Sequence, residues 1–301
     1  MRVVVAIGGN ALLRRGDDPG GRPVGMDRLA EAVAAVAEIA REHEVVVTHG
    51  NGPQVGLLAL QAEAYDPTDP VDLDILGAES EGLIGYLLAR ELRSRLPDRR
   101  VAAVLTQVRV DPDDPAFAAP DKPVGPGYPP PEARRLAAER GWTVGPDGDD
   151  WRRLVPSPRP LEVLEAPSLR ILVQAGVLVV CGGGGGIPVT SSNGSLVGVE
   201  AVVDKDATAV LLARALDADG LAILTDVPGV LEGYGSDHPR TIRRMTADEA
   251  RAFHGARGSM GPKLEACADF VEGGGDFAAV GALDDGAAVI RGEAGTRIVA
   301  G

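Results

Sequence analysis

One segment, VLVVCGGGGGIPVTSSNGSLVGVEAVVDKD at residues 177–206, joins an apolar strand, five glycines and a charged helix start. Residues 177–181 have the length and β-branched character of a buried parallel strand. The glycines at 182–186 expose backbone N–H groups that can close around a bulky anion. DKD at 204–206 then precedes a helix predicted over 207–216. Each part alone fits a glycine-rich turn or a solvated charge cluster equally well, but their order favours a phosphate site.

Composition bounds the class of protein. The 301 residues can bury a sizeable core, in one large α/β domain or in two lobes, and the core is aliphatic because aromatics make up only 3%. The net charge of −14 argues against a nucleic-acid partner, since such proteins normally carry a basic stripe. Cys181 and Cys267 form no disulfide framework or zinc motif and read as buried small hydrophobes. Without a signal-peptide pattern or an apolar run of about 18 residues, we expect a cytoplasmic protein with no membrane partner.

Two further predicted strands run into glycines. The strand at 2–7 leads into GGN at 8–10, and the strand at 44–48 leads into HGNG at 49–52. Ligands of open α/β sheets gather beyond the carboxyl ends of strands, so we expect the three glycine loops along one edge of the sheet. Neither the Rossmann fingerprint nor a GxxxxGK[ST] loop occurs in the sequence.

The remaining pattern alternates helices with strands, which predicts a mostly parallel sheet covered on both faces. Helices are predicted at 26–42, 74–96, 246–254 and 261–273, and strands at 101–107, 221–225, 276–283 and 297–300. The proline-rich stretch at 111–160 contains both tryptophans and a hairpin pattern, with arms at 141–144 and 151–155 around PDGD. We therefore interpret residues 114–160 as a small inserted subdomain rather than as a disordered linker.

Taken in order, these segments resemble those of carbamate kinases, which belong to the amino-acid kinase superfamily. The matching segments are VVVAIGGNALL, HGNGPQVG, ESEGLIGY, LTQVRVDPDDPAF, KPVGP, WRRLVPSPRP, GGGGIPV, GVEAVVDKDATA, LTDVPGV and GSMGPKLEA. The resemblance implies an α/β fold, a three-layer αβα sandwich with a mainly parallel central sheet and a small protruding subdomain. It also implies a homodimer, for which the leucine-rich face of helix 74–96 is the predicted interface. One domain would span 1–301, with an acceptor lobe at about 1–220 and a nucleotide-binding lobe at about 221–301.

The implied reaction is reversible phosphoryl transfer between ATP plus carbamate and ADP plus carbamoyl phosphate. The acceptor is already an anion, so the chemistry needs preorganised positive charge and N–H donors rather than a general base. The backbone donors would come from the glycine loops, and His49 would orient its loop. The predicted substrate-binding residues are Gly8, Gly9, Asn10, Gly50, Asn51, Gly52, Gly183 and Gly184.

Three lysines are the candidate cations. Several relatives, such as acetylglutamate kinases, have a lysine in the first strand, where this chain reads VAIGG, and Lys205 would replace it as in carbamate kinases. Lys263 would join Lys205, with Asp206 holding both in a solvent-filled cleft. Lys122 lies in the insert, so a surface position is its default interpretation; we nevertheless predict that the subdomain closes over the acceptor site and brings Lys122 to the carbamate or phosphoryl group.

The resemblance also assigns a nucleotide site, whose adenine would contact Tyr234 and Met260. The predicted nucleotide-binding residues are Thr225, Asp226, Val227, Tyr234, Ser259, Met260 and Lys263. Mg²⁺ would arrive with ATP or ADP, held mainly by phosphates and water, so no metal ligands are predicted in the chain. Two alternatives stay open: a kinase of the same fold acting on another small acid, and a non-catalytic nucleotide-binding regulator.

Overall fold

The structure, a computed structural model, describes residues 1–9, 25–66, 68, 71–236, 238–253 and 260–301. Its strands are β1 (Arg2–Ile7), β2 (Glu44–His49), β3 (Val101–Ala103), β4 (Gln107–Val110), β5 (Lys122–Tyr128), β6 (Thr143–Asp147), β7 (Asp150–Val155), β8 (Pro160–Val163), β9 (Leu178–Val180), β10 (Ile187–Ser192), β11 (Ser195–Gly198), β12 (Gly220–Thr225), β13 (Leu231–Glu232), β14 (Arg240–Thr241), β15 (Arg244–Thr246), β16 (Phe277–Ala282) and β17 (Thr296–Val299). Its helices are α1 (Met26–Glu42), α2 (Gly52–Tyr65), α3 (Leu73–Arg95), α4 (Pro130–Arg140), α5 (Ala166–Gln174), α6 (Lys205–Ala215), α7 (Ala247–Ala252), α8 (Met260–Glu272) and α9 (Gly286–Arg291).

The central sheet has eight strands in the order β15-β17-β16-β12-β1-β2-β9-β3, all paired in parallel except β16 with β17. Its inner strands are apolar on both faces, as a parallel sheet covered on both sides requires. Along β1, Val3 and Val5 join the core beneath α1, α3 and α9, whereas Val4 and Ala6 join the core beneath α5 to α8. The predicted three-layer αβα sandwich is confirmed.

The predicted strand at 101–107 is wrong, because this segment belongs to two sheets. β3 is the last strand of the central sheet, and β4 lies in a separate four-stranded sheet in the order β11-β10-β4-β8. Between them the chain leaves the central sheet, and the Thr106 carbonyl accepts the Ile187 N–H at 2.8 Å. Residues 104–107 read VLTQ, without glycine or proline, so the sequence carries no turn signal at the change of sheet.

The proline-rich stretch folds into a three-stranded sheet, β5-β7-β6, with α4 packed against it. The predicted hairpin is confirmed as β6 and β7, although its first arm begins two residues later than expected. This subdomain contacts α2 closely, because a Cβ on Gly56 would lie 2.1 Å from the Cα of Gly125. Only glycine permits that approach, which places β5 directly over the helix that follows the second glycine loop.

Helix α3 uses its leucines within the chain. Leu88 and Leu92 are buried in the central core, Leu76 packs in a smaller core against the subdomain, and Leu83 and Leu87 pack half-buried against the central core. The leucine face on which the homodimer prediction rested is therefore already occupied.

The sequence patterns did not predict the helices α4, α5 and α9. No helix in the described part of the chain is long and apolar enough to span a bilayer.

Candidate functional site: a lysine and aspartate cluster beside glycine loops

Helix α6 begins with the DKD triplet, and its first turn organises the charges. Asp204 is the N-cap, and its Oδ1 accepts the backbone N–H groups of Asp206 at 2.9 Å and Ala207 at 3.2 Å. Asp206 lies in the first turn, where a carboxylate is favoured by the helix dipole. Its Oδ1 accepts from Lys205 Nζ, and its Oδ2 accepts from Lys263 Nζ of α8 at 2.9 Å. One carboxylate thus holds two ammonium groups.

Lys122 completes this cluster from the subdomain. Its Nζ lies 2.6 Å from the second oxygen of Asp204, Oδ2. The chain contains only three lysines, and all three are paired with the two aspartates of the DKD triplet. We call Lys122, Asp204, Lys205, Asp206 and Lys263 the lysine cluster.

The centre of the lysine cluster is buried. The side chains of Lys205 and Lys263 are each 11% exposed and that of Asp206 is 5% exposed, so the expectation that they face an open cleft is wrong. Burial alone would raise the pKa of Asp206, but the two ammonium groups hold it well below its usual range. Burial, together with repulsion from Lys263, lowers the pKa of Lys205, although Asp206 opposes that shift. For Lys263 burial acts in the same direction, yet the aspartates outweigh it and the pKa is raised.

The three glycine loops lie side by side, as predicted. Gly8 N–H donates to the Leu224 carbonyl at 2.8 Å, and Gly50 N–H donates to the Ile7 carbonyl at 2.9 Å. Cys181 N–H donates to the Val47 carbonyl at 2.9 Å, immediately before the five glycines. The carboxyl ends of β12, β1, β2 and β9 therefore meet at one edge of the sheet. Asn10 lies outside the described residues.

The five-glycine loop is tied to the lysine cluster. It forms a 3-10 turn at Gly183–Gly185, and Thr208 of α6 donates its hydroxyl to the Gly185 carbonyl at 2.8 Å. Gly184 has a φ of +69°, and a Cβ there would lie 2.1 Å from Asn51 Nδ2. That amide nitrogen in turn donates to Ser80 Oγ at 2.8 Å. The second and third glycine loops are thus in direct contact beside the charges.

His49 ends β2 and is fully buried. Burial lowers its pKa to about 4, despite the opposing contact with the Gly50 carbonyl, so the ring is neutral at pH 7. Nδ1 lies 3.2 Å from that carbonyl and donates to it, which leaves Nε2 as an unprotonated nitrogen without a hydrogen-bond partner. A neutral ring supplies no positive charge, and its contacts are those of a residue that shapes the loop.

The predicted nucleotide-binding residues lie on several elements and do not form one cluster as the lysines do. Thr225 ends β12 next to Gly8 and donates its hydroxyl to Asp226 Oδ1 at 3.0 Å. Met260 opens α8, the helix of Lys263, and packs half-buried against the core. Tyr234 is 70% exposed in the turn between β13 and β14, and Val227 is half-buried. Ser259 lies outside the described residues.

The chain resembles known kinases over its full length. Residues 1–280 match the model of the Amino acid kinase family. The chain is 48% identical to a carbamate kinase of Rhizobium meliloti (strain 1021), over 99% of this chain and 93% of that protein. Its structure matches that of a carbamate kinase from Giardia lamblia bound to citric acid, with a TM-score of 0.92 and 36% identity, covering 100% of this chain and 98% of that chain. The chain belongs to the carbamate kinase family. For the Giardia lamblia carbamate kinase bound to AMP-PNP, the TM-score is 0.88 and the identity 37%, with the same coverage of both chains.

Membership of the carbamate kinase family confirms what the ordered motifs predicted. The structure adds polar residues that the sequence analysis missed. Glu81 accepts the Gly183 N–H at 3.0 Å, Thr106 Oγ1 accepts the Gly182 N–H at 2.9 Å, and Ser80 holds Asn51. The ESEG segment of α3 was noted only as part of the resemblance, because its contact with a loop about 100 residues away is visible only in three dimensions. The small number of lysines in the sequence could also have indicated this site, because all three of them meet there.

Proposed function

We propose that the chain transfers a phosphoryl group reversibly between ATP and carbamate, forming ADP and carbamoyl phosphate, at the lysine cluster and the adjoining glycine loops. The observation that carries this assignment is that every lysine of the chain pairs with the aspartates beside those loops. Charge of this kind is needed because the acceptor and the transferred group are both anions. Family membership supports the same reaction.

In the forward direction, a carbamate oxygen attacks the γ-phosphorus of ATP, and the bond from that phosphorus to the ADP oxygen breaks. No proton has to be removed from the acceptor, so the neutral His49 is adequate as a structural residue. Lys205 and Lys263 stabilise the negative charge that spreads over the transferred oxygens, and Asp206 fixes their spacing. Backbone N–H groups of the glycine loops orient the same oxygens.

The proposed acceptor site comprises the loop residues predicted from the sequence, with Lys122 reaching it from the subdomain. Two partners then compete for Lys122 Nζ: Asp204, which holds it at 2.6 Å, and the anionic substrate. The proposed nucleotide site lies towards Thr225 and Lys263, because β12 ends at Thr225 and α8 brings Lys263 to the lysine cluster. The division into acceptor and nucleotide lobes remains a prediction.

We assign Mg²⁺ to the nucleotide rather than to the protein. Both oxygens of Asp206 accept from lysines, and Asp204 is engaged by Lys122 and by the helix N-terminus. Within the described residues, no group of three or more His, Cys, Asp or Glu side chains could hold a metal ion. A divalent ion bound by phosphates and water would neutralise part of the nucleotide charge, and the lysine cluster would act on the remainder.

The direct test mixes the pure protein with ADP, Mg²⁺ and carbamoyl phosphate and measures ATP. We expect ATP to form in proportion to enzyme, and little to form when acetyl phosphate replaces carbamoyl phosphate. Equal rates with both donors would favour a kinase of another small acid. Binding of ADP without ATP formation would favour a nucleotide-binding regulator.

We also propose a homodimer, formed through the outer face of α3 and the free edge of β3. Strand β3 ends the central sheet, and an unpaired edge normally needs cover. Beside it, a groove between α3 and β3 is lined by small residues including Gly82, Gly85 and Ala103. Tyr86 and Leu105 flank this groove, 59% and 51% exposed. A second copy of the chain could cover both the strand edge and the apolar groove.

A further inference from the structure

The carboxyl group of Glu81 links the five-glycine loop to the segment between β3 and β4. Glu81 lies on α3 and is 3% exposed. Its Oε1 accepts the Gly183 N–H at 3.0 Å, and its Oε2 accepts the Thr106 N–H at 3.3 Å. A Cβ on Gly183 would lie 3.0 Å from Glu81 Cγ, so the loop backbone lies directly against this side chain.

Glu81 takes part in none of the described ion pairs. The ionisable groups that act on it are His49, Cys181 and Glu165, and the arginines Arg90 and Arg93 line the same groove without pairing with it in the described structure. Burial raises the pKa of Glu81 to about 8, although its two N–H donors and Thr106 oppose that shift. A buried carboxyl group without an ion-pair partner lowers stability, so we expect a role of Glu81 in the loop that offsets this loss.

The hydrogen bonds of the five-glycine loop indicate that Glu81 helps to fix its backbone. Thr106 Oγ1 accepts the Gly182 N–H, and the N–H groups of Gly185 and Gly186 donate to carbonyls inside the loop. With Gly183 held by Glu81, only Gly184 N–H has no acceptor among the described residues. The loop is thus fixed by four of its amides and keeps one buried donor for a ligand.

We propose that Glu81 is a positioning residue for phosphoryl transfer, which orients the Gly183 peptide so that Gly184 N–H faces the transferred group. This inference rests on the proposed function. It assigns Glu81 no contact with substrate; the residue acts through the loop. Since misplacement of such a donor by about 1 Å can cost roughly 10²-fold in rate, Glu81→Ala should lower kcat on that scale.

The test compares Glu81→Ala, Glu81→Gln and the control Glu79→Gln, an exposed glutamate of the same helix. Glu81→Gln keeps an uncharged acceptor for Gly183 N–H, so we expect it to retain most of the wild-type kcat at pH 7. Glu81→Ala should lose about 10²-fold in kcat while the KM for ADP changes little. A general loss of folding would lower the melting temperature and also the apparent kcat, so kcat is calculated per folded enzyme, with the folded fraction measured by circular dichroism.

The pH dependence of kcat tests the role of Glu81 even if Glu81→Ala does not fold. As pH rises through about 8, Glu81 ionises and adds a negative charge behind the loop, so wild-type kcat should fall. The fall should be absent in Glu81→Gln and present in Glu79→Gln. A profile unchanged by Glu81→Gln, or a normal kcat in folded Glu81→Ala, would overturn the inference. If wild type and Glu79→Gln both failed to make ATP, the proposed function would be wrong instead.

Discussion

Lys205 and Lys263 lie on opposite oxygens of one carboxylate, and this arrangement explains how two buried ammonium groups coexist. Without Asp206, each would repel the other in a site of low polarity. With it, both Nζ groups have a carboxylate partner and are held in place for an anion. The arrangement resembles the preorganised donors of transition-state stabilisation, in which the cost of ordering is met during folding rather than during the reaction.

We expect Lys205→Ala and Lys263→Ala each to lower kcat by roughly 10²–10³, the scale for losing one preorganised transition-state donor. The measurement is ATP formation at saturating ADP and carbamoyl phosphate. Arg109→Ala serves as the control, because it removes a cation that is 41% exposed and pairs with Glu162 on β8. Near-normal turnover of Lys205→Ala would show that Lys205 does not replace the lysine missing from the first strand.

Asp206→Asn should affect stability as well as rate, because it leaves two buried ammonium groups without their carboxylate. Breaking a buried pair costs about 3–5 kcal/mol in unfolding free energy. The folded pKa of Asp206 is depressed, so its contribution is present above the unfolded value near 3.8 and is lost as pH falls through the folded pKa. Urea titrations should therefore show that the unfolding free energy of wild type exceeds that of Asp206→Asn by a constant amount above about pH 5. This difference should shrink as the pH falls further. A difference in unfolding free energy that did not change with pH would contradict this account.

At the scale of elements, strand β5 carries a cation from the subdomain to the start of α6. Pro123 stiffens the strand next to Lys122, and the contact of Gly125 with Gly56 anchors it to α2. Val124 is buried in the small core shared with α2 and α3. The position of Lys122 is thus set by the packing of the residues that follow it, and not by the ion pair alone.

Lys122→Ala should cause a large loss in kcat/KM for carbamoyl phosphate and little change in the affinity for ADP. The reason is that the proposed acceptor site includes Lys122, whereas the proposed nucleotide site does not. Initial rates with each substrate varied in turn provide the measurement. Arg135→Ala, which removes an exposed cation of the same subdomain, is the matched control. An equal loss on the ADP side, or no loss on either, would place Lys122 outside the site.

Sequence alone predicted most elements, because buried parallel strands and amphipathic helices leave clear periodic patterns. It also predicted that Lys122, Lys205, Asp206 and Lys263 share a site, through their motifs and the resemblance. It could not predict the change of sheet near Thr106, because residues 104–107 contain no glycine or proline that would mark a turn. Nor could it predict the contacts of Glu81, which depend on where α3 lies against a distant loop. The burial of the lysine cluster was likewise decided by tertiary packing.

At the scale of the whole molecule, the dimer proposal predicts a species of twice 31.0 kDa at micromolar concentration. Tyr86→Glu should shift it towards the monomer, because a charge would enter the apolar groove between α3 and β3. Light scattering after gel filtration measures the mass. Tyr65→Glu is the control, since Tyr65 is 93% exposed at the end of α2, away from that groove. A wild-type monomer, or equal behaviour of both variants, would contradict the proposed interface.

The gathering of every lysine in one cluster has a practical consequence for chemical coupling. Apart from the amino group of Met1, the only primary amines of the chain belong to the proposed site. Lys122, with its side chain 30% exposed, is the most accessible of the three, and acylating it removes its charge; amine-directed labels and supports should therefore inactivate the protein, and substrate should protect it. Both cysteines are buried and offer no ready alternative. The chain has 44 aspartates and glutamates, of which the lysine cluster contains two, so we expect carboxylate coupling to preserve more activity than amine coupling.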